Sequence, residues 1–455
     1  MNQQSTPSLS LANPHPAGLH ASQKAALALA GLGLLGFLIA WVSGESWSPA
    51  ISLAAAVASV GVGAVWYARA TYARQPEGIK NNGVMFGSLS NRGVAAWVLG
   101  VFVTGFYVCL YWFPGALKGL IDLFDPLSWA LRGRKADQWF VYGSFYTMAV
   151  TFMGVKFMYK YRHSRYQLIR TASVMFFQLI FAYLIPAFML LMNQPEFYFS
   201  YFWPLKYDYL FPGTVSYLMK QPGGLGVFLV FWGAMMSVVA VPTLTYFFGK
   251  RWYCSWVCGC GALAETAGDP FRALSDKSLR AWRIERWLIH SVLIFVVLTT
   301  LLLWLNSWQK GGLLGGWSQG FSKTYGFLIG ATFSGVVGTG FYPILGNRVW
   351  CRFGCPQAAI LGIFQRYFSR FRITTNGGQC ISCGNCSTYC EMGIDVKSYA
   401  QRGQDVVRAS CVGCGICSAV CPRGVLRLEN AASDVAQRAV ELRALHISEQ
   451  GVRLE

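Results

Sequence analysis

Fourteen cysteines occur in 455 residues, and thirteen of them lie after residue 250. Eight form two runs with one spacing: Cys380-x2-Cys383-x2-Cys386-x3-Cys390, then Cys411-x2-Cys414-x2-Cys417-x3-Cys421 followed by Pro422. Each cysteine of the second run lies 31 positions after its counterpart, and Gly384/Gly415 and Gly393/Gly424 keep that offset. Zinc needs only two CxxC pairs and has no use for a third close cysteine or for a duplication. Four thiolates per cubane, three from a tight loop and one from a more distant turn, suit this spacing. It predicts two [4Fe–4S] clusters rather than zinc knuckles or structural disulfides.

A second repeat carries four more cysteines. Gly249-Lys250-Arg251-Trp252-Tyr253-Cys254-x3-Cys258 is echoed by Gly346-Asn347-Arg348-Val349-Trp350-Cys351-x3-Cys355-Pro356, with a constant offset of 97. Cysteines four apart share a helix face. The two pairs could therefore give four thiolates to one metal or to a third cluster, act as a reversible dithiol, or be structural. Cys260 is an extra thiol beside the first pair. Cys109, alone in an apolar stretch, reads as a packed small residue.

The segments that must position these groups are those of a membrane protein. Hydrophobic residues make up 54% of the chain, charged residues only 13%, and mean hydropathy is +0.39. Eight stretches approach the length of about 20 apolar residues that crosses a bilayer: 25–43, 50–68, 94–113, 138–159, 171–192, 225–248, 287–305 and 325–345. The expected fold is an all-α polytopic membrane domain (24–372) of about eight transmembrane helices, by that criterion. A small α+β dicluster module (373–430) follows, between a polar, disordered leader (1–23) and an amphipathic tail (431–455). Val435, Val440, Leu442 and Leu445 give that tail near-helical spacing. Alternate loops (69–93, 160–170, 249–286) are basic and the others nearly neutral. The positive-inside rule then places both termini and the cysteine-rich module in the cytoplasm.

Several functions are disfavoured. The net charge of +19 sits largely in juxtamembrane loops, where it serves topology and anionic lipid, so a nucleic-acid partner is not expected. Only five histidines occur, and just His290 approaches a helix, which leaves no pair for haem b. Mid-helix carboxylates, which pumping ordinarily requires, are missing. Segment 193–222, dense in aromatics around Glu196 and Asp208, reads either as an interfacial aromatic belt or as a quinol or partner site whose carboxylate takes protons.

The 380–421 module resembles a bacterial two-cluster ferredoxin, in which the fourth cysteine of each run ligates the other cluster. That resemblance implies Cys380, Cys383, Cys386 and Cys421 for one cluster and Cys411, Cys414, Cys417 and Cys390 for the other. Paired CxxxC motifs at helix ends before such a module resemble the NapH/NosR group of membrane-bound polyferredoxins and, more distantly, the CcoG-type oxidase-assembly ferredoxins. The resemblance covers roughly residues 225–430. It implies electron transfer at the bacterial inner membrane between the quinol pool or a flavoprotein and a reductase or respiratory complex. Three departures stand out: Gly259 where the first CxxxC motif would carry proline, the additional Cys260, and Glu391 in place of proline after Cys390. Electron carriage is the leading expectation, with soft-metal (copper) handling for another complex and redox sensing as alternatives. An electron-transfer component fits better than a stand-alone enzyme.

Overall fold

The computed structural model describes residues 19–43, 48–73, 92–313, 315, 317–430, 445–448 and 451–454. Long helices occupy all eight expected stretches: α1 Ala21–Ser43, α2 Pro49–Tyr72, α3 Val94–Trp112, α4 Gln138–Lys160, α5 Arg165–Leu191, α6 Pro222–Phe248, α7 Leu279–Trp308 and α8 317–340. Six of them are long and apolar enough to cross a membrane. The other two, α4 and α8, dilute that character with tyrosines and lysines (α4) or with glycines (α8). The small residues of α2 have a packing purpose: Gly63 lies where a Cβ would meet the Ala26 carbonyl, so α1 and α2 approach closely.

Two helices widen into π-type turns just before a proline. These are residues 177–184 before Pro186 in α5 and 236–240 before Pro242 in α6. Proline removes the N–H that an α-turn would use and crowds the carbonyl four residues back, which favours the wider turn.

Each CxxxC segment breaks its helix. Gly249 and Gly346 stop the preceding helices at positive φ (68° and 97°), a conformation glycine adopts without strain. Cys254 ends a single turn, Arg251–Cys254. Cys258, at φ −67° and ψ 125°, caps a new helix α9 (Gly259–Thr266), and Cys355 likewise caps α10 (Pro356–Tyr367). The members of each pair therefore do not share one helix face, contrary to the spacing argument, because the chain becomes extended at the second cysteine. Ala262 and Leu263 of α9 pack on Val150, mid-way along α4, so the first segment turns back into the bundle.

The C-terminal module is closed by an antiparallel pair, β1 Phe371–Thr375 with β2 Leu426–Asn430, Phe371 opposite Asn430. Two corrections concern the ends. Helix α1 already includes residues 21–23 of the expected leader, and Gln23 is buried against Thr71. Leu445 lies in a strand: β3 Leu445–Ser448 pairs with β4 Gly451–Leu454, where Ile447 and Val452 favour extended backbone over helix. The rest of the leader (1–18) and tail residues 431–444 lie outside the described residues.

A buried ionic network locks this module to the helices. Glu391, fully buried, accepts from Arg272 at 2.5 Å and forms an ion pair with Arg348 at 3.0 Å. Arg348 also pairs with Glu265 at 2.7 Å, Glu265 with Arg170, and Arg272 with Asp269 at 2.8 Å; Lys160 completes the chain at 2.6 Å from Asp269. Burial alone would raise the Glu391 carboxyl, but Arg272 and Arg348 outweigh it and hold it at about 2, so it stays charged. Removing one member of such a network strands the others without a counter-charge, at about 3–5 kcal/mol. Glu391→Ala should therefore lower the thermal midpoint and expose the 366–372 connection to trypsin, with Glu391→Gln less severe. Unchanged cleavage and midpoint in the alanine variant would show that the module is held by something else.

Candidate iron–sulfur centres

The two cysteine runs adopt the same backbone. Ser382/Gly413, Gly384/Gly415 and Gly393/Gly424 all have φ between 58° and 79°, at matching places in each run. These left-handed residues wrap each CxxCxxC loop so that amide N–H groups face the sulfurs, an arrangement that favours bound negative charge. The Gly413 N–H faces Cys411, that of Ile416 faces Cys414, and that of Ile394 donates to Cys390 Sγ at 3.4 Å.

The runs exchange their last cysteine. One pocket is lined by Cys380, Cys383, Cys386 and Cys421, and another by Cys411, Cys414, Cys417 and Cys390. Burial pushes the Cys411 thiol up to about 11 and the Cys386 and Cys414 thiols up to about 12. Such thiols become thiolates only against a strong local positive charge, which ligated iron provides. A single tetrahedral zinc ion brings four sulfurs to about 3.8 Å of one another. Among the described residues no three Cys, His, Asp or Glu side chains converge tightly enough for one ion. The residues present thus fit iron–sulfur clusters better than a lone metal.

The two pockets differ in position. The 411–417 loop lies against the helices: Gln167 donates to the Cys414 carbonyl at 2.8 Å, Ser255 to Val412 at 2.8 Å, and Gln365 to Cys411 at 2.6 Å. The 380–386 loop faces outward, with Ile381 49% exposed.

Beneath the inner pocket, the second repeat brings Cys254, Cys258, Cys351 and Cys355 together, each 5–6% exposed. Burial pushes Cys254 up to about 12, and Cys355 is raised by burial and then by Cys351, Cys254 and Cys258. Cys258 is instead lowered to about 7, chiefly by the thiol of Cys260 bonding to it, against burial. The Ala358 N–H donates to Cys355 Sγ at 3.4 Å at the start of α10. Arg348 joins this group to the ionic network, reaching the Cys254 carbonyl at 3.3 Å and Cys351 Sγ at 3.7 Å.

Sequence reasoning did not foresee what adjoins these thiols. A cavity of about 390 Å³ opens among α3, α4, α5, α8 and segment 198–207, lined by Tyr142, Tyr146, Gln178, Tyr198 and Tyr201, and it reaches Cys260. The widened turns of α5 and α8 contribute Gln178, Ala182 and Gly330 to its wall. Gly259 now has a reason: a Cβ there would stand 2.1 Å from the Tyr201 hydroxyl, and its N–H donates to that hydroxyl, which proline could not do. The aromatic segment 193–222 is accordingly not only a surface belt, since Phe197, Phe202 and Tyr209 are buried. The four-residue spacing of Tyr142 and Tyr146 was the available sequence signal.

Comparison with known proteins agrees with this geometry. A model described as a 4Fe–4S binding domain matches residues 230–278 and 326–375, each segment containing one CxxxC pair. A 4Fe–4S dicluster domain matches residues 379–426. The chain is similar to the putative electron transport protein YccM of Escherichia coli (strain K12), 26% identical over 175 residues, 37% of this chain and 48% of that protein. It is also similar to the methylamine utilization ferredoxin-type protein MauN of Methylobacillus flagellatus, 27% identical over 165 residues, 34% of this chain and 54% of that protein. The chain spans about half the length of these curated relatives. No solved structure matches it. The chain carries ferredoxin-type 4Fe–4S domains and is homologous to ferredoxin-type electron transport proteins.

The burial gradient has a direct readout. In iron-stripped, folded protein, a water-soluble maleimide should modify Cys380, Cys383 and Cys421 first, and Cys254, Cys351, Cys355 and Cys417 only on unfolding. Mass spectrometry of labelled peptides checks the order, and uniform labelling of all thirteen would contradict it.

Proposed function

We propose that this chain is a membrane-anchored electron-transfer protein of the NapH/NosR-type polyferredoxin group, working between quinol in the bacterial inner membrane and a redox partner on the cytoplasmic side. The observation that carries the reading is the continuity of the sites. The tyrosine-lined cavity touches Cys260, the free thiol of Cys260 lies against that of Cys258, and Cys258 shares one hydrophobic core with Cys411 and Cys417. Beyond them, the 380–386 loop faces the surface, where a partner protein can dock.

In this reading Cys380, Cys383, Cys386 and Cys421 hold one [4Fe–4S] cluster, Cys411, Cys414, Cys417 and Cys390 a second, and Cys254, Cys258, Cys351 and Cys355 a third metal or iron–sulfur site. Such clusters, when bound, supply one-electron acceptors and donors. The protein's own groups handle the rest. A quinol ring fits between apolar and tyrosine walls, with the Tyr201 hydroxyl as its hydrogen-bond partner beside Cys260. Its oxidation releases two electrons and two protons. The Tyr198 hydroxyl, which lines the cavity, donates to exposed Glu196 at 2.5 Å and so offers the protons a way out. The basic loops support a cytoplasmic ferredoxin module.

Anaerobic addition of a short-chain quinol to the full-length protein in detergent should bleach its visible iron–sulfur absorption. Tyr201→Phe should slow that bleaching at least about tenfold, the loss of one positioned hydrogen bond to the reacting ring, with iron content unchanged. Reduction by dithionite but not by quinol would sink the proposed donor. Exchange of the fourth ligand is tested separately by EPR: Cys390→Ala should lose the cluster of the 411–417 loop, and Cys421→Ala that of the 380–386 loop. Loss of the same-run cluster instead would overturn the pairing.

A further inference from the structure

A second cavity, of about 640 Å³, lies where the start of α7, helix α10 and the ferredoxin segment 399–410 meet. Five cations line it, Lys250, Arg286, Arg352, Arg366 and Arg408, against one carboxylate, Glu285. Glu285 is already engaged, 2.7 Å from Arg352. The other four have no acidic partner among the described residues. Lys250 Nζ donates to the Ala409 carbonyl at 3.2 Å, Arg366 to Val407 at 2.5 Å, and Arg408 to the Tyr399 hydroxyl at 3.2 Å. Arg286 and Arg408 both lie over the Trp282 ring, at 5.1 and 4.7 Å.

We infer that this cavity binds the phosphate group of an anionic ligand. The case rests on charge and burial. Lys250 is 1% exposed and its ammonium donates to a carbonyl, so an anion in the chamber would meet a cation already held out of water. Three guanidinium groups around the same space repel it and one another unless an anion sits between them. Guanidinium groups match phosphate oxygens in pairs, and an ammonium adds a point charge.

Two sources supply that chemistry, a membrane phospholipid and soluble phosphate, and the mouth of the cavity favours the lipid. Its lining residues on α7 belong to the first turns of a candidate membrane span. Beside them Trp287 is 79%, Ile284 45% and Leu288 42% exposed; Tyr367 on α10 is 74% exposed. Acyl chains would lie along these side chains while the headgroup enters the basic chamber, as at other basic pockets between helices at a membrane surface. The chamber also touches Cys351 and Met392, so a bound phosphate would neutralise positive charge beside both the CxxxC thiols and the inner ferredoxin pocket. This inference stands apart from the quinol reading, which concerns the other cavity.

The test uses full-length protein, delipidated in detergent and examined by native mass spectrometry and thermal unfolding. Phosphatidylglycerol should bind and raise the midpoint, and phosphatidylcholine should do neither. Arg286→Gln together with Arg408→Gln should weaken phosphatidylglycerol about 30-fold, the expectation for two surface cations, with iron content unchanged. Should the double variant fold poorly, Arg286→Gln alone, an exposed side chain stacked on Trp282, should give about a fivefold loss. If inorganic phosphate binds as well as the lipid and competes with it, the phosphate site stands with a soluble source. Equal retention of both phospholipids by wild type, or undiminished phosphatidylglycerol binding by Arg286→Gln, would overturn the site.

Discussion

The placement of the ferredoxin module depends on one carboxylate. Glu391 follows directly on Cys390 and is surrounded by Arg272 and Arg348, which are themselves tied to Asp269 and Glu265 on the membrane domain. A charge so buried is tolerable only with its partners in place, and the partners are equally intolerable without it. The network therefore specifies a relative position rather than merely adding stability. It brings the 411–417 loop against the helix ends and leaves the 380–386 loop facing outward. The departure within the ferredoxin runs, Glu391 for proline, is the residue that joins the two domains.

Arg348 extends that constraint to the CxxxC thiols. It bonds to the Cys254 carbonyl and approaches Cys351 while pairing with Glu265 and Glu391. One guanidinium thus registers the four inner cysteines against the ferredoxin pocket nearest them. Its positive charge also opposes the rise that burial imposes on Cys351.

Departures from regular helix then create space beside these groups. Extended backbone at Cys258 and Cys355 turns each second cysteine into a helix cap instead of a face residue. Wide turns in α5 and α8 displace side chains that continuous α-helix would have set elsewhere, and they line the tyrosine cavity. Gly259 admits Tyr201 to the edge of the thiol group. A proline at that position would close the approach.

The sequence alone determined whatever depends on short-range geometry. Eight cysteines at fixed spacing announce cluster-forming loops because the chain can wrap a cubane only with that stride, and the repeated glycines mark where it must turn left-handed. The hydrophobic runs placed all eight helices, since a bilayer demands length and apolarity more than order. The 97-residue repeat was equally visible, and so was the aromatic density of 193–222. Tertiary structure alone decided what distant segments share. The tyrosine cavity and the basic chamber each draw on at least five segments far apart in the chain. Glu391 and Gly259 read as blemishes in their motifs because their partners lie at least 43 positions away, at Arg348 for Glu391 and Tyr201 for Gly259. The CxxxC pairs misled for the same reason: spacing gives a shared face only while the helix continues, and beyond the break at the second cysteine the following helix packs on distant segments, α9 on α4 and α10 on α6 and α7, which no local pattern encodes.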